Sequence, residues 1–111
     1  MTVPFSQFAD LQIVIGTIVE VTVVPEADRL LRLLVDVGEA EPRQIISGIR
    51  DYVAELDSLV GTQCPFVINL EPRTIRGYES NGMILAAHHE NNFSFLIPQQ
   101  MGVLPPGTPI R

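Results

Sequence analysis

The chain has 111 residues, with 7 arginines, no lysine and 13 acidic residues, which give a formal net charge of −6. This length predicts a single domain spanning residues 1–111. The charge argues against nucleic-acid binding driven by a global positive field, but a local site stays possible because charges more than about 8 Å apart are largely screened.

The first predicted element is a long strand from Leu11 to Val23. Its odd positions are apolar except Thr17, whereas Gln12, Glu20 and Thr22 make the even face wetter. This two-residue period is typical of a half-buried β-strand. Gly16 inside it predicts a bulge or a sharp bend.

The following segments continue the β pattern. After a turn at residues 25–28, apolar residues alternate from Leu31 to Val37, and residues 43–47 predict a short third strand. Residues 50–61 hold the one good helical pattern, in which Val53, Leu56 and Val60 share a face and Gly61 ends the helix.

Three more strands are predicted, at residues 64–70, 82–87 and 93–97, and Pro65 indicates that the first of these lies at a sheet edge. The C-terminal residues 101–111 are extended, proline-rich and apolar, suited to cover the barrel or a partner subunit. The order predicts an all-β fold: an OB-fold five-stranded Greek-key barrel with one short helix after strand 3 and an extended C-terminal segment.

Residues that suggest catalysis or metal binding are not supported by their spacing. Cys64 lies on the apolar face of its strand, where a cysteine is usually an unreactive hydrophobe. His88 and His89 point to opposite faces and lack further ligands, and Ser80 is not in a G-x-S-x-G elbow. We expect no catalytic residue, no metal and no cofactor.

The strongest candidate for a binding site is the pair Arg73 and Arg76. One hypothesis is a solvated loop in which they pair with Glu71 and Glu79. The other is a phosphate clamp, since guanidinium groups bind phosphate oxygens in a bidentate way and nearby glycines permit close approach of the backbone. On an OB barrel this loop flanks the nucleic-acid-binding face, and three residues of the preceding segments could border the same face. These are Arg32, Ser47 and Arg50.

The lone Cys64 excludes an internal disulfide and agrees with a reducing compartment. Residues 1–10 lack the features of a signal peptide, and no apolar stretch approaches the roughly 18 residues that span a bilayer. We therefore expect a soluble, cytoplasmic domain with no membrane partner. The hydrophobic share of 46% is high for so small a chain and favours a homo-oligomer interface.

Nearly the whole chain resembles the tRNA-binding OB-fold domains found at the C-terminus of methionyl-tRNA synthetases and as free-standing structure-specific tRNA-binding proteins. The resemblance is carried by five segments of this sequence. They are GTIVEV (residues 16–21), EADRLLRLLVDVGE (26–39), IISGIR (45–50), LVGTQC (59–64) and NLEPRTIRGYESNGMILAA (69–87).

The resemblance implies a homodimer that binds tRNA by shape, without chemistry, and that is associated with a methionyl-tRNA synthetase catalytic subunit; DNA is not expected as a partner. It implies phosphate contacts from Arg73 and Arg76 and neutral donors at Asn69 and Ser80. For Met83, packing beneath the loop is favoured over contact with a sugar. The predicted RNA-binding residues are thus Arg32, Ser47, Arg50, Asn69, Arg73, Arg76, Ser80 and Met83.

Two alternatives stay open. One is an export-related chaperone of the same fold, which would bind unfolded peptides in an apolar groove. The other is a dimerisation module without RNA binding, which the acidic charge favours. Departures from the family pattern, such as Thr74 where a lysine is common, remove positive charge and should weaken RNA binding.

Overall fold

The structure, a computed structural model, describes residues 1–111. It contains one α-helix, two short 3-10 helices and nine β-strands. In chain order these are α1 (Phe5–Ala9), β1 (Ile13–Val23), β2 (Leu31–Asp36), β3 (Arg43–Ser47), the 3-10 helices Arg50–Tyr52 and Leu56–Leu59, β4 (Gln63–Val67), β5 (Arg73–Ile75), β6 (Tyr78–Ser80), β7 (Met83–Ile84), β8 (Ala86–His89) and β9 (Asn92–Phe95).

Five antiparallel strands form the main sheet in the order β3-β2-β1-β4-β7. Its two outer strands, β3 and β7, contact each other, so the sheet is nearly closed into a barrel. Two hairpins, β5-β6 and β8-β9, are added outside it. This arrangement confirms the predicted OB-type barrel.

Strand β1 departs from the expected alternation. The bulge lies at Val19, where the register with β2 shifts between Ile18 and Glu20, and not at Gly16. Val14 and Ile18, at even positions, face the core, whereas Val19 is 43% exposed. The bulge adds one residue and therefore moves the apolar face from even to odd positions partway along the strand.

Gly16 has a packing role in the absence of a bulge. A Cβ at this position would lie 2.6 Å from Val35 Cγ1 and 2.7 Å from Phe66 Cδ2. Both neighbours are fully buried, in strands on either side of β1. The glycine therefore lets the side chains of β2 and β4 meet across the barrel interior.

The principal core fills the barrel. The alternation predicted for β2 is confirmed, because Leu31, Leu33 and Val35 are fully buried and Arg32 faces outward. A second, smaller cluster lies outside the barrel, where Ile75 and Tyr78 pack on Val24, Ala27 and Ile46. This second cluster anchors the β5-β6 hairpin.

The segment after β3 contains helical turns where a helix was predicted, but they do not form one continuous helix. It consists of two 3-10 turns separated by extended residues such as Val53 and Glu55. Val53, Leu56 and Leu59 contact the core, whereas Val60 is 49% exposed. A spacing of three residues between the apolar contacts fits the 3-10 repeat, so a continuous α-helix would turn one of them away.

Pro65 does not mark an edge strand, because β4 lies between β1 and β7. The proline carbonyl accepts a hydrogen bond from Leu85 N at 3.0 Å, just beyond the end of β7. The N and C=O of one residue point to the same side of a strand, so the missing N–H falls where the pairing with β7 ends.

The C-terminal segment lies against β1. The backbone of residues 107–110 is hydrogen bonded to Ile13 and Ile15, and Ile110 N donates to Ile13 O at 2.8 Å. Buried Gln63 also holds the C-terminal segment, accepting from Gly102 N at 3.0 Å and donating to Leu104 O at 2.8 Å.

Helix α1, which the sequence pattern did not predict, has no buried residue. No helix has the length and apolar character needed to cross a bilayer.

Candidate functional site

The segment expected to be an arginine-rich loop is a β-hairpin. Strands β5 and β6 pair Arg73 with Ser80, and Arg76 and Gly77 form the turn. We call residues 73–80 the arginine hairpin. Ile75 and Tyr78, directly before and after the turn, pack on the smaller apolar cluster, so the turn is held at a defined place on the surface.

The turn itself has an unusual backbone. Arg76 has φ 52° and Gly77 has φ 83°. Positive φ at both central residues is typical of a type I′ turn, whose twist matches that of the strands. Glycine adopts this conformation freely, but for arginine it costs about 1 kcal/mol. Strain of this kind is found preferentially at functional sites.

Neither Arg73 nor Arg76 makes an ion pair. Three arginines of the chain do so, in the pairs Arg29–Asp51, Arg32–Glu20 and Arg43–Glu39. Glu71 and Glu79, the expected partners in the solvated-loop hypothesis, do not bind the hairpin arginines. Arg73 and Arg76 are therefore exposed cations without a carboxylate contact, and Glu71 lines the same cleft as Arg73 without pairing with it.

A cleft of about 80 Å³ lies beside Arg73. Arg73 shares the barrel-facing side of the hairpin with Ile75 and Ser80, because residues two apart in a strand face the same way. Ile46 and Met83 are also in the wall of the cleft. The arrangement gives the Arg73 stem an apolar surface and leaves the guanidinium at the rim. Met83 lies beside the hairpin in the wall of this cleft, but it is 46% exposed and is not part of the buried core.

Ser80 and Asn69 have structural contacts in place of the expected free donors. The buried Ser80 Oγ accepts from Ile46 N at 3.0 Å and donates to Gly82 O at 3.3 Å, which joins the hairpin to β3. The Asn69 side chain accepts from Gln12 N at 2.8 Å and donates to Asp10 O at 2.6 Å. Their polar atoms therefore serve the fold.

Gly77 and Gly82 also differ from each other. A Cβ on Gly77 would meet nothing within 4 Å, so glycine is favoured there by the positive φ and not by lack of space. The backbone at Gly77 is open to a ligand. A Cβ on Gly82 would lie 3.0 Å from both Ile45 Cδ1 and Val67 O. Gly82 therefore permits a close approach within the protein and not to a ligand.

Arg32 is occupied as well. Its Nη1 donates to Glu20 Oε2 at 3.1 Å and its Nε to Gln44 Oε1 at 2.6 Å. Arg50, on the first 3-10 turn, is exposed and makes no ion pair, and Ser47 ends β3 half-buried opposite Leu31. No side-chain hydrogen bond or ion pair joins Ser47 or Arg50 to the arginine hairpin. The structure brings together Arg73, Ser80 and Met83 in one cleft, with Arg76 at the hairpin turn.

Sequence reasoning missed two residues of β3 that touch the hairpin region, Arg43 and Gln44. Arg43 donates to backbone carbonyls on either side of the hairpin, and the Gln44 side chain donates to Glu79 O. A four-residue spacing predicts an ion pair only on a helix, and Glu39 and Arg43 do not lie on one, so the sequence did not indicate their pair. No signal in the sequence indicates the carbonyls that Arg43 reaches.

Other polar groups outside the hairpin do not form a reactive site. Burial raises the pKa of the Cys64 thiol to about 11, which keeps it protonated and unreactive at neutral pH. His88 lies in the β8-β9 hairpin, where its Nε2 is 3.1 Å from the Tyr52 hydroxyl. No group of three or more histidine, cysteine or acidic residues is placed to hold a metal ion.

Comparison with known proteins identifies the family. Residues 13–109 match the family described as "Putative tRNA binding domain". Methionine–tRNA ligase from Methanosphaerula palustris is 40% identical over 109 residues, which are 98% of this chain and 16% of that protein. The chain therefore spans about a sixth of the length of this relative.

Two solved structures are similar over their whole length. The MetRS related protein from Pyrococcus horikoshii has a TM-score of 0.86 at 27% identity, covering 100% of this chain and 99% of that chain. The chaperone CsaA from Bacillus anthracis also has a TM-score of 0.86, at 28% identity, and covers 100% of both chains. The family match is to a binding domain, which confirms that the chain itself is not an enzyme. The chain belongs to the tRNA-binding domain family and is related to part of the methionine–tRNA ligases.

Proposed function

We propose that this chain binds tRNA through the arginine hairpin, with Arg73 and Arg76 holding backbone phosphates. The observation that carries this proposal is that both guanidinium groups are exposed and lack a carboxylate partner, on a hairpin whose backbone is fixed by packing. Arginine is suited to phosphate because its planar group donates two parallel hydrogen bonds. The open backbone at Gly77 allows RNA to approach closely.

Recognition by shape fits this site better than recognition by sequence. A turn with two phosphate-binding arginines contacts the RNA backbone, which carries no base information. The polar side chains near the turn are already hydrogen bonded within the protein, as described for Asn69 and Ser80. The spacing of phosphates in folded tRNA then supplies the specificity.

The experiment compares binding to bulk tRNA and to an unstructured RNA of equal length across a salt series. We expect tighter binding to tRNA, and a slope of log affinity against log salt that reports the phosphates engaged. Arg73→Ala and Arg76→Ala should each weaken tRNA binding by about 1–3 kcal/mol, and each should lower the slope by about 1.

The matched control is Arg29→Ala, which removes the same charge from a surface pair with Asp51. Its effect on tRNA affinity should stay within about twofold, since Arg29 is paired with Asp51 and lies outside the arginine hairpin. Wild-type affinity for tRNA equal to that for unstructured RNA would overturn recognition by shape. Unchanged affinity in both hairpin variants would overturn the assignment of the site.

We also propose that the chain is a homodimer in which the terminal segments form the interface. A groove of about 480 Å³ lies between α1 and the C-terminal residues, with exposed apolar side chains that include Phe5 and Phe8. Exposed apolar surface of this extent on a small protein indicates an interface. Sedimentation should give a dimer at micromolar concentration for wild type and a monomer for Phe8→Ser. A wild-type monomer would contradict this.

The likeness to CsaA favours a second candidate, peptide binding in the same groove. Binding of an unfolded peptide with no binding of tRNA would establish peptide binding in place of tRNA binding.

We propose further that the chain associates in the cytoplasm with a methionyl-tRNA synthetase catalytic subunit, supported by the similarity to methionine–tRNA ligase. Co-sedimentation with such a subunit tests that association.

A further inference from the structure

The Arg43 side chain joins the two ends of the segment that holds the arginine hairpin. Its Nη1 donates to Ile68 O at 2.6 Å and to Asn81 O at 3.2 Å. These carbonyls lie on either side of residues 69–80, and Arg43 itself lies in β3 of the barrel. One guanidinium therefore closes the base of the segment and fastens it to the main sheet.

The guanidinium is fixed in turn by Glu39. Arg43 Nε is 2.8 Å from Glu39 Oε1, and Nη2 is 2.9 Å from Oε2. This bidentate pair lowers the pKa of Glu39 and raises that of Arg43, mainly through the hydrogen bonds between them. The pair leaves Nη1 oriented toward the carbonyls. A lysine could not donate to Glu39 and to both carbonyls in this fixed geometry.

Gln44 provides a second attachment, at β6. Its Nε2 donates to Glu79 O at 3.0 Å, and its backbone oxygen accepts from Asn81 N at 2.8 Å. Its Oε1 accepts from Arg32 Nε at 2.6 Å, and Arg32 is held by Glu20. A chain of hydrogen bonds thus runs from β1 through β2 and β3 to the hairpin.

We propose that Arg43 and Gln44 are positioning residues for RNA, which hold the arginine hairpin in its binding geometry before RNA arrives. This inference rests on the proposed function. Binding of a mobile segment loses affinity because its side chains and backbone must be ordered, and a segment ordered in advance avoids that loss. Arg32 has the same role through Gln44, in place of the RNA contact expected for it.

The first test needs no RNA. Amide hydrogen exchange is measured for the arginine hairpin and for β2 in the wild type, Arg43→Met, Arg43→Lys and Gln44→Ala. We expect exchange in the hairpin to be at least about tenfold faster in the variants, while β2 is unchanged, because local opening is independent of global unfolding. The control Arg29→Lys alters another surface ion pair and should change neither.

The second test is tRNA affinity in two backgrounds. Arg43→Lys keeps the charge, so a loss of about tenfold reports geometry. In the Arg73→Ala, Arg76→Ala background the same change should cost less than about twofold, since a positioning residue acts through those arginines. Equal losses in both backgrounds would mean that Arg43 contacts RNA itself, and would overturn the proposal.

The two proposals fail in distinguishable ways. If wild type does not bind tRNA, the proposed function is wrong, and hydrogen exchange still decides whether Arg43 orders the hairpin. Unchanged exchange in the hairpin of Arg43→Lys and Gln44→Ala would overturn the positioning role even if tRNA binds. If Arg43→Met does not fold, those two milder variants decide the outcome.

Discussion

Arg76 and Gly77 are consecutive residues with positive φ, and the arginine occupies the turn position that asparagine usually takes in a two-residue hairpin. The protein therefore keeps a charged side chain at the tip of the hairpin at a cost in backbone strain. A stability gain is available at this position only by giving up the charge.

Arg76→Asn should make the protein more stable and a weaker binder. Asparagine tolerates the left-handed conformation, so we expect the free energy of unfolding to rise by about 1 kcal/mol. Loss of the guanidinium should weaken tRNA binding by about 1–3 kcal/mol. Urea denaturation and tRNA titration measure the two effects.

The matched control for this change is Arg73→Asn, which removes the same charge from a strand position. It should weaken tRNA binding similarly and bring no gain in stability. A fall in the stability of Arg76→Asn would show that the Arg76 side chain has a structural contact that outweighs the strain.

Ser80→Ala should destabilise the attachment of the hairpin to β3. The change leaves the Ile46 N–H without its acceptor in a buried place, which costs about 1–3 kcal/mol of unfolding free energy. Ser94→Ala is the control, since Ser94 is exposed and its hydroxyl bonds only to the neighbouring Phe95 O; it should change stability by less than about 0.5 kcal/mol. Equal urea midpoints for the two variants would contradict this role of Ser80.

Cys64 should be protected from alkylation by the fold. With a pKa of about 11 and no exposed surface, the thiol should not react with iodoacetamide at pH 8 until the protein is unfolded in urea. Alkylation of the folded protein at the rate of the unfolded chain would contradict its burial.

The same thiol predicts a pH dependence of stability. Its folded-state pKa lies above the unfolded value near 9, so between about pH 9 and 11 the unfolded chain loses a proton that the folded chain keeps. The free energy of unfolding should therefore fall as pH rises through this range. Comparison with Cys64→Ala, which lacks this contribution, separates it from the ionisation of tyrosine.

Gly16→Ala should lower the free energy of unfolding by about 1–3 kcal/mol, because the added methyl would overlap Val35 and Phe66 in the barrel interior. Gly48→Ala is a suitable control, since a Cβ there would have only an ordinary contact, 3.9 Å from Arg29 O. Urea denaturation measures both. A Gly16→Ala variant as stable as the wild type would require the interior to have room that the structure does not show.

Strong alternation in the sequence predicted the sheet well. In β2, apolar residues at every second position could only form one buried face, and the structure has that face. The bulge at Val19 was not predictable in the same way, because residues 13–19 carry apolar side chains at both odd and even positions and so fit either register. The separation of the helical segment into two 3-10 turns depends on contacts with the barrel that local pattern does not contain.

The sequence predicted the arginines of the candidate site, but not the internal hydrogen bonds of the polar residues around them. Arg73 and Arg76 stand out in the sequence because cations are rare in this chain and glycines flank them. The internal hydrogen bonds of Ser80, Asn69 and Arg32 depend on residues 12 to 59 positions away in the chain. Such long-range partners are set by the tertiary fold, so the sequence could not show that these polar groups are already occupied.

The bond between Ile110 N and Ile13 O brings the first strand and the end of the chain to one place on the surface. A short peptide could therefore join the two ends, and a circular permutant opened at the exposed turn of the β8-β9 hairpin should keep the barrel. Phe5 and Arg111 also line one groove, so a fusion at either end would leave from the same region of the domain. The arginine hairpin would then face its ligand from a similar direction whichever end carried the attachment.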